Sequence, residues 1–454
     1  MEKSDKQHLL ILVTNPFAIL NLIHSGLAGE LDKTFRISIM SDLLTKVDVN
    51  RFNEHFHLEM QWLATPVPTL SILDKWLRTL QMLIFGYYFD LATLRIKLTE
   101  YPALHWLFSV IWQALLLRSF CGRLLVFMRT WLIRRTGRPA RYGSLPEQEF
   151  CAVLSSSPLD LRENKIVNFL KAKGIRCIAM IISWDNLTSK GVMNMQPDLV
   201  LVWNKLMSLE YRRLYSFWGN TGLVRIIGIP RFDIYFKEAV FTQKQSDFKR
   251  LLGISCDTRI ILYSTGAAKH HICQNYIIED LLTYARARQD MMVVVRCHPH
   301  DAPERYLRYD GIQNLRILWP MGENDTSIPP PDFLEMLASQ LAACDVCVQV
   351  ASTIFLEAAA CNKPTIGIAY DEDPDIPYIR SVRRFYDYSH QLPLDEFLPD
   401  HTVRNKRDLF EKLDEILAGG HSRKNLREAI KPFIHYDTPD SVRFTAQCIR
   451  EWLD

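Results

Sequence analysis

Two α/β domains, each built on a parallel sheet, are what this sequence predicts. Three observations carry the prediction. Short β-branched runs alternate with helical stretches in both halves of the chain, the pattern of strand–helix–strand units. Gly-Ile-Pro-Arg-Phe-Asp at 228–233 places two strong chain breakers at the join between the halves. Residues 345–368, Asp-Val-Cys-Val-Gln-Val-Ala-Ser-Thr-Ile-Phe-Leu-Glu-Ala-Ala-Ala-Cys-Asn-Lys-Pro-Thr-Ile-Gly-Ile, read as strand, tight loop, helix, strand. The 454 residues are enough for two or three domains. The expected bounds are 1–227 and 228–435, with a last helix over 436–454 packing back on the first domain.

Composition narrows the class. Hydrophobic residues make up 48% and charged residues 23%, the balance of a folded globular protein. A net charge of +3 argues against a whole-molecule polyanion binder, so nucleic acid is not an expected partner. The ten cysteines follow no repeated spacing, and Cys177, Cys297 and Cys347 sit in apolar runs. That favours reduced, buried thiols and a cytosolic setting. Cys344 and Cys347 have Cys-x-x-Cys spacing but fall in an expected strand, where residues three apart point to opposite faces. The amino terminus lacks a basic stretch, a long apolar stretch and a small-residue cleavage site, so no signal peptide is expected.

In chain order, Leu9 to Thr14 reads as a buried first strand and Ala18 to Leu31 as a helix containing His24-Ser25-Gly26. No Gly-x-Gly-x-x-Gly follows the strand, so a dinucleotide is not indicated. Phe35 to Met40 and Phe56 to Leu63 complete the opening strands. Residues 70–142 then break the rhythm. They are rich in apolar and aromatic residues, and their charges are mainly basic, with few acids, such as Asp90 and Glu100, opposing Lys75, Arg78, Arg95, Arg123, Arg134 and others. The longest uncharged run lies between Pro102 and Arg118, short of the ~20 residues a spanning helix needs. Cationic, Trp-rich and too short to span describes a helix lying in a membrane surface. The plainer alternative is a helical insertion packed on its own domain. The strands resume at Phe150 to Leu154, Ile175 to Ile182, Asp198 to Trp203 and Leu223 to Ile227. In the second half they fall at Arg259 to Ser264, Met291 to Arg296, Leu315 to Trp319, Val346 to Val350 and Thr365 to Ile368.

Ligands of open parallel sheets bind beyond the carboxyl ends of the strands. Three loops of the second half leave such ends: Thr265 to His271, His298 to His300, and Ala351 to Thr353. They bring Gly266, Lys269, Arg296 and His298 toward the Ser352 and Thr353 hydroxyls, a set suited to phosphate or pyrophosphate. Glu357, one turn into the following helix, suits the hydroxyls of a ribose. His298-x-His300 has no Cys or Glu spacing that would complete a metal site, so no metal is expected. In the first half the densest polar cluster is Ser-Trp-Asp-Asn-Leu-Thr-Ser-Lys-Gly at 183–191. Asp185 there suits a general base, and Trp184, Asn186 and Lys190 suit contacts to an acceptor; His24 is the second candidate base. The plainer reading of 183–191 is an Asx-type turn.

Taken together, two α/β halves, Gly-Ile-Pro-Arg-Phe-Asp at the join, Arg296-Cys-His298-Pro299, and Ser352-Thr353 followed by Glu357-Ala-Ala resemble the GT-B superfamily of nucleotide-dependent transferases. The second half is similar to bacterial surface-polysaccharide glycosyltransferases and to CDP-glycerol glycerophosphotransferases; UDP-N-acetylglucosamine 2-epimerases share the architecture. The resemblance covers 223–370 by motif and the first half by topology alone. It implies two Rossmann-like domains facing a cleft, with the nucleotide donor on the second and the acceptor on the first. It also implies that His298, Ser352 and Thr353 contact donor phosphate and Glu357 the ribose. The chain departs from the glycerophosphotransferases in lacking a His-Gly motif in the early loop, where His270-His271 is no match. It also lacks the Glu-x7-Glu pattern of many retaining enzymes.

The expected activity is therefore metal-independent glycosyl transfer. A sugar moves from a nucleotide-activated donor to a glycan or lipid-linked glycan acceptor in surface-polysaccharide synthesis, such as lipopolysaccharide or capsule. No cofactor is expected, and the place of work is the cytosolic face of a membrane. Rival readings are a 2-epimerase or a glycerophosphotransferase of the same fold, and a non-enzymatic glycan-binding scaffold.

Overall fold

The computed structural model describes residues 6–64, 67–101, 106, 110, 115–136, 150–219, 222–268, 271, 273–288, 290–301, 303–321, 328–419 and 425–454. The chain divides into two compact units, Met1–Arg231 with Asp440–Asp454, and Phe232–Pro439.

The first unit carries seven strands: β1 Gln7–Val13, β2 Phe35–Ser41, β3 Gln61–Trp62, β4 Phe150–Ser155, β5 Arg176–Met180, β6 Leu199–Val202 and β7 Leu223–Ile226. All pair in parallel, in the order β3-β2-β1-β4-β5-β6-β7. Leu9 to Val13 are wholly buried, as a central parallel strand covered on both faces requires. The order reverses between β1 and β4, which is the switch point of this sheet.

Two expectations for the opening change. The helix over Ala18 to Leu31 is broken: Pro16–Ile19 is followed by a π-helical turn, Leu20–His24, and a separate helix, Leu27–Asp32. Gly26 between them has φ +90°, which only glycine adopts without strain. The strand over Phe56 to Leu63 shrinks to β3, because a helix Lys46–Phe56 occupies its start. Thr45 and Asp48 open that helix with reciprocal caps, and His57 at φ +56° ends it.

The insertion contributes α1 Ile72–Tyr88, α2 Ala92–Leu98 and α3 Leu115–Thr136. Ser71 and Asp74 cap the start of α1 reciprocally. Two contacts fix α1 and α3 as antiparallel neighbours. Asp74, at the start of α1, lies 4.0 Å from Arg135 at the end of α3. Gly122, early in α3, lies so close to Tyr88 at the end of α1 that an added Cβ would sit 3.0 Å from its ring. Their inner faces pack on the body of the unit through polar side chains. Gln81 and Asn194 exchange amide hydrogen bonds at 2.8 Å in both directions. The Arg129 guanidinium donates to the carbonyls of Met193 (2.9 Å) and Met195. Asn168 of α4, Leu161–Ala172, donates to Thr136 (2.9 Å) and to the Asn194 carbonyl (2.8 Å). Among the described residues no helix is long and apolar enough to cross a membrane. The unit is completed by the one-turn helix α5 Asn186–Ser189, by α6 Lys205–Tyr215, and by the terminal helix Ser441–Leu453. That last helix is held by Arg176, which donates to the Trp452 carbonyl (3.0 Å) and lies over the Trp452 ring.

The second unit repeats the design with six strands: β8 Arg259–Ser264, β9 Met291–Arg296, β10 Leu315–Leu318, β11 Val346–Gln349, β12 Thr365–Ile368 and β13 Thr402–Val403. The order is β10-β9-β8-β11-β12-β13, again all parallel, and it reverses between β8 and β11. Its helices are α7 Glu238–Leu251, α8 Asn275–Arg286, α9 Phe333–Ala343, α10 Ile354–Ala360 and α11 Lys406–Leu417. The core runs from Tyr263 and Val293 on the sheet to Leu281 of α8 and Leu413 of α11.

Candidate functional site

The site builds on the carboxyl ends of β9, β8 and β11, three adjacent strands that span the switch point of the second sheet. Thr265 follows β8. Its hydroxyl accepts from the His298 backbone N–H (2.8 Å) and donates to Asp301 (3.2 Å), tying the loop after β8 to the loop after β9. Gln274 then reads both backbone groups of Gly266: the Gly266 N–H donates to its Oε1 (2.6 Å) and its Nε2 donates to the Gly266 carbonyl (2.8 Å). The Gly266 amide is therefore already engaged. An added Cβ would meet nothing nearer than 3.7 Å, so packing does not demand glycine there.

Arg296 ends β9 and is only 5% exposed. Its guanidinium lies over the Phe333 ring at 4.9 Å, and its Nε has no hydrogen-bond partner. Burial lowers its pKa, and the carboxylate of Glu357 opposes that by favouring the charged form. Glu357, on α10, is itself buried at 5% exposure. The structure thus brings Arg296 and Glu357 together beneath the loops, rather than leaving Glu357 open on the surface. His298 is half-buried. Its Nδ1 accepts from the His300 N–H at 3.0 Å, which puts the neutral ring's proton on Nε2 as a donor.

The loop after β11 is held from three sides. Gln349 accepts from the Ser352 N–H (2.7 Å), the Tyr386 hydroxyl accepts from the Ala351 N–H (3.3 Å), and Gln391 donates to the Ala351 carbonyl (3.1 Å). These bonds sustain Ala351 at φ +40°, a left-handed conformation that costs an alanine free energy. Tyr386 also donates to the Ile368 carbonyl (3.0 Å), and it reaches this position because Gly367 lacks a side chain: a Cβ there would lie 2.8 Å from the hydroxyl. Ser352 and Thr353 are half-buried ahead of α10, which is seven residues long and has no side-chain cap. Lys269 and His270 lie outside the described residues. His271 is buried, neither ring nitrogen has a hydrogen-bond partner, and burial pushes its pKa down to about 4. Sequence reasoning missed the supports Gln274, Gln349, Tyr386 and Gln391. The amides read as ordinary polar positions until the fold sets them against backbone.

The candidates of the first unit are dispersed. Asp185 follows β5 and begins α5. Ser183 donates to its Oδ1, Ser189 donates to its Oδ2 (2.6 Å), and Lys190 stands 3.9 Å away. Both hydroxyl bonds come from its own segment, and Asp185 gives the helix that follows it no side-chain cap. Trp184 is only 6% exposed, which leaves little of its ring for stacking on a sugar, and Asn186 is likewise near-buried. Burial follows from the apolar run Ile181-Ile182 that carries Trp184 into the core. His24 sits against the rings of Phe52 (5.4 Å) and Phe56 (5.6 Å) with both nitrogens sealed from solvent and unpartnered. Burial, with the charges of His55 and Arg51, pushes its pKa to about 3, so it is neutral at pH 7.

Two acids that the sequence did not single out have shifted pKa values. Glu210 on α6 is half-buried and is pushed up to about 7 by burial, with Arg213 opposing and Asp185 adding. Glu163 on α4 is wholly buried at the switch point between β1 and β4. It accepts from the Thr14 hydroxyl (2.6 Å), the Ser155 hydroxyl (2.6 Å) and the Ser157 N–H (2.9 Å). Burial still pushes its pKa up to about 7, against those bonds. Among the described residues no group of three or more His, Cys, Asp or Glu side chains is placed to hold a metal ion.

Comparison with known proteins follows the same division. Three solved structures share the two-domain GT-B fold at low identity. A UDP-GlcNAc 2-epimerase from Neisseria meningitidis, solved bound to UDP-GlcNAc, aligns with TM-score 0.53 and 10% identity over 98% of this chain and 99% of that one. The S. aureus MnaA structure with UDP aligns with TM-score 0.54 and 10% identity over 98% and 97%. The Methanocaldococcus jannaschii UDP-GlcNAc 2-epimerase aligns with TM-score 0.53 and 12% identity over 98% and 99%. No curated protein sequence matches the chain. Residues 192–442, more than half of the 454, match a family model, and its span takes in every loop of the second switch point. The chain belongs to the CDP-glycerol:poly(glycerophosphate) glycerophosphotransferase family, and so to the nucleotide-activated transferases.

Proposed function

We propose that the chain transfers a sugar from a nucleotide-activated donor to a lipid-linked glycan, in the synthesis of a cell-surface polymer, without a metal ion. The observation that carries the donor half is the convergence of Arg296, His298, Ser352 and Thr353 on one switch point inside the family-matched segment. When the nucleotide phosphate leaves, charge develops on its oxygens. A fixed guanidinium, an imidazole Nε2–H and two hydroxyls meet that charge without reorganising. Glu357 keeps Arg296 charged despite burial, so its part is to hold the cation rather than to touch the donor.

The acceptor hydroxyl must lose a proton as it attacks, and we assign that proton to the first unit. Asp185 remains the first candidate, and Glu210 joins it with a pKa of about 7, suited to accept a proton at neutral pH. His24, with sealed nitrogens, is the weakest of the three. The acceptor is met at a membrane surface through the insertion. A second reading, transfer of glycerophosphate from CDP-glycerol, is favoured by the family match itself. Against it stands His271, the described histidine of the early loop, which is buried and neutral.

A thermal-shift panel with UDP, GDP, CDP, CMP and dTDP, with and without Mg²⁺, tests this. A nucleotide at about 100 times its dissociation constant adds about 2.7 kcal/mol to the folded state. Stabilisation by UDP, GDP or dTDP without Mg²⁺ supports sugar transfer, and stabilisation by CDP alone moves the weight to CDP-glycerol. If none of the five stabilises the protein, the transferase reading of this site is wrong.

A further inference from the structure

The insertion has two faces, and only the inner one is accounted for by the fold. On α1 the outward row Ile72, Trp76, Leu80 follows i, i+4, i+8 spacing, and Trp76 is 72% exposed. On α3 the outward row is Phe120, Phe127, Trp131, with Phe127 65% exposed. At 100° per residue the three α3 side chains fall within about 40° of arc. Because α1 and α3 run antiparallel, the start of α1 lies beside the end of α3, which sets Trp76 and Trp131 at the same end of the pair. Exposed large apolar side chains collected on one helical layer mark an interaction surface.

Charge says what the surface meets. Lys75, Arg123 and Arg134 are exposed on the same outward sides and have no acidic partner among the described residues. Asp74, the acid nearest this end, is turned inward, buried and bonded to Lys165 at 2.8 Å. Apolar rows with tryptophan, bordered by unpaired cations, fit the interface of a bilayer with anionic headgroups. A second protein chain would need matching acids and a matching apolar patch, whereas a bilayer supplies both without shape complementarity. We infer that the outward face of the α1–α3 pair docks this protein in the plane of an anionic bilayer. The indoles of Trp76 and Trp131 then sit at headgroup depth, and Lys75, Arg123 and Arg134 lie against lipid phosphates. The inference rests on the membrane-surface part of the proposed function and not on its transfer chemistry.

Co-sedimentation of the full chain with vesicles tests it, using phosphatidylglycerol mixed into phosphatidylcholine against phosphatidylcholine alone. The parent protein pellets with the anionic vesicles and about tenfold less with the neutral ones. The double variant Trp76→Glu, Phe127→Glu changes only exposed positions and keeps its melting temperature. It loses anionic partition by about tenfold or more. Charge reversal at Lys75, Arg123 and Arg134 abolishes the preference for anionic lipid. Failure to pellet with either vesicle overturns the inference, as does equal binding to both or unchanged binding of the double variant. A lipid-free dimer in sedimentation velocity that the double variant converts to monomer assigns the face to a second copy and also overturns it. Nucleotide stabilisation does not involve this face. A protein stabilised by nucleotide but indifferent to vesicles would sink this inference alone.

Discussion

The two sheets share one strand order and differ in what fills its switch point. Between β1 and β4 a single buried acid, Glu163, gathers Thr14, Ser155 and Ser157 and closes the crevice with bonds internal to the fold. Between β8 and β11 the internal bonds go to backbone: Gln274 holds Gly266, while Gln349, Tyr386 and Gln391 hold 351–352. Arg296 keeps an Nε without a hydrogen-bond partner, and His298 accepts the His300 N–H on its Nδ1. Topology alone therefore does not mark a binding site. One switch point uses a carboxylate to lock strand ends, and the other locks its loops through neutral amides and a tyrosine hydroxyl.

The largest expected effect that would break this contrast is at Arg296. Arg296→Ala should lower kcat/KM by about 10²- to 10³-fold and remove nucleotide stabilisation, as loss of a preorganised donor does elsewhere. Arg296→Lys should rescue little, because an ammonium cannot reproduce the fork. Steady-state kinetics and the nucleotide panel read both, and an Arg296→Ala enzyme with parental turnover would remove the site.

Glu163 sharpens the contrast from the other side. Glu163→Ala leaves three donors without their acceptor and should cost about 2–4 kcal/mol of stability, while nucleotide affinity per folded molecule stays at the parental value. The pH dependence has a defined sign. Folding raises this pKa from 4.5 to about 7, so the group's contribution is fully present below pH 4.5 and is lost as pH rises through 7. Glu163→Gln should flatten that fall in melting temperature between those limits; a slope identical to the parent's would show that another group causes it.

Glu210→Gln comes next, with an expected fall of about 10²-fold in kcat and loss of the acidic limb near pH 7 in the rate profile, if it shares the proton with Asp185. A variant that keeps that limb would return the role to Asp185. Gly367→Ala should displace the Tyr386 hydroxyl, loosen Ala351 and weaken nucleotide binding by about tenfold, with a stability cost of about 1–3 kcal/mol. The smallest effect is at Gly266. Its amide is engaged and its space is open, so Gly266→Ala should change melting temperature and KM within error; a large rise in KM would show that donor phosphate approaches this backbone closely.

What was legible beforehand follows from range. The β-branched runs at 259–264, 291–296 and 346–350 announced the second sheet, because buried parallel strands need no partner residue to be recognised. The positions of Arg296, Ser352 and Thr353 were legible for the same reason, since each follows or ends a strand. The helix Glu238–Leu251 was not, since Lys244, Asp247 and Arg250 interrupt its apolar period. The break between Leu20–His24 and Leu27–Asp32 depends on Gly26 taking φ +90°, which a glycine permits but does not announce. Glu163 reads as a solvated helical acid in Leu-Arg-Glu-Asn; only the pairing of β1 with β4 brings Thr14, 149 residues away, to join the nearby Ser155 and Ser157 around it. The burial of Trp184 was hidden in the sequence because its polar neighbours outweigh the apolar run that precedes it.

The inner anchoring of the insertion has a practical consequence for anyone wishing to trim the molecule. Gln81 bonds the Asn194 side-chain amide and Arg129 the Met193 and Met195 carbonyls, and these three residues lie within the family-matched segment. Excising 70–142 would strip those bonds and remove Leu125, Met128 and Leu132, baring the apolar surface that they cover. A tractable, detergent-free preparation is therefore better sought by repainting Trp76, Phe120, Phe127 and Trp131 with polar side chains than by shortening the chain.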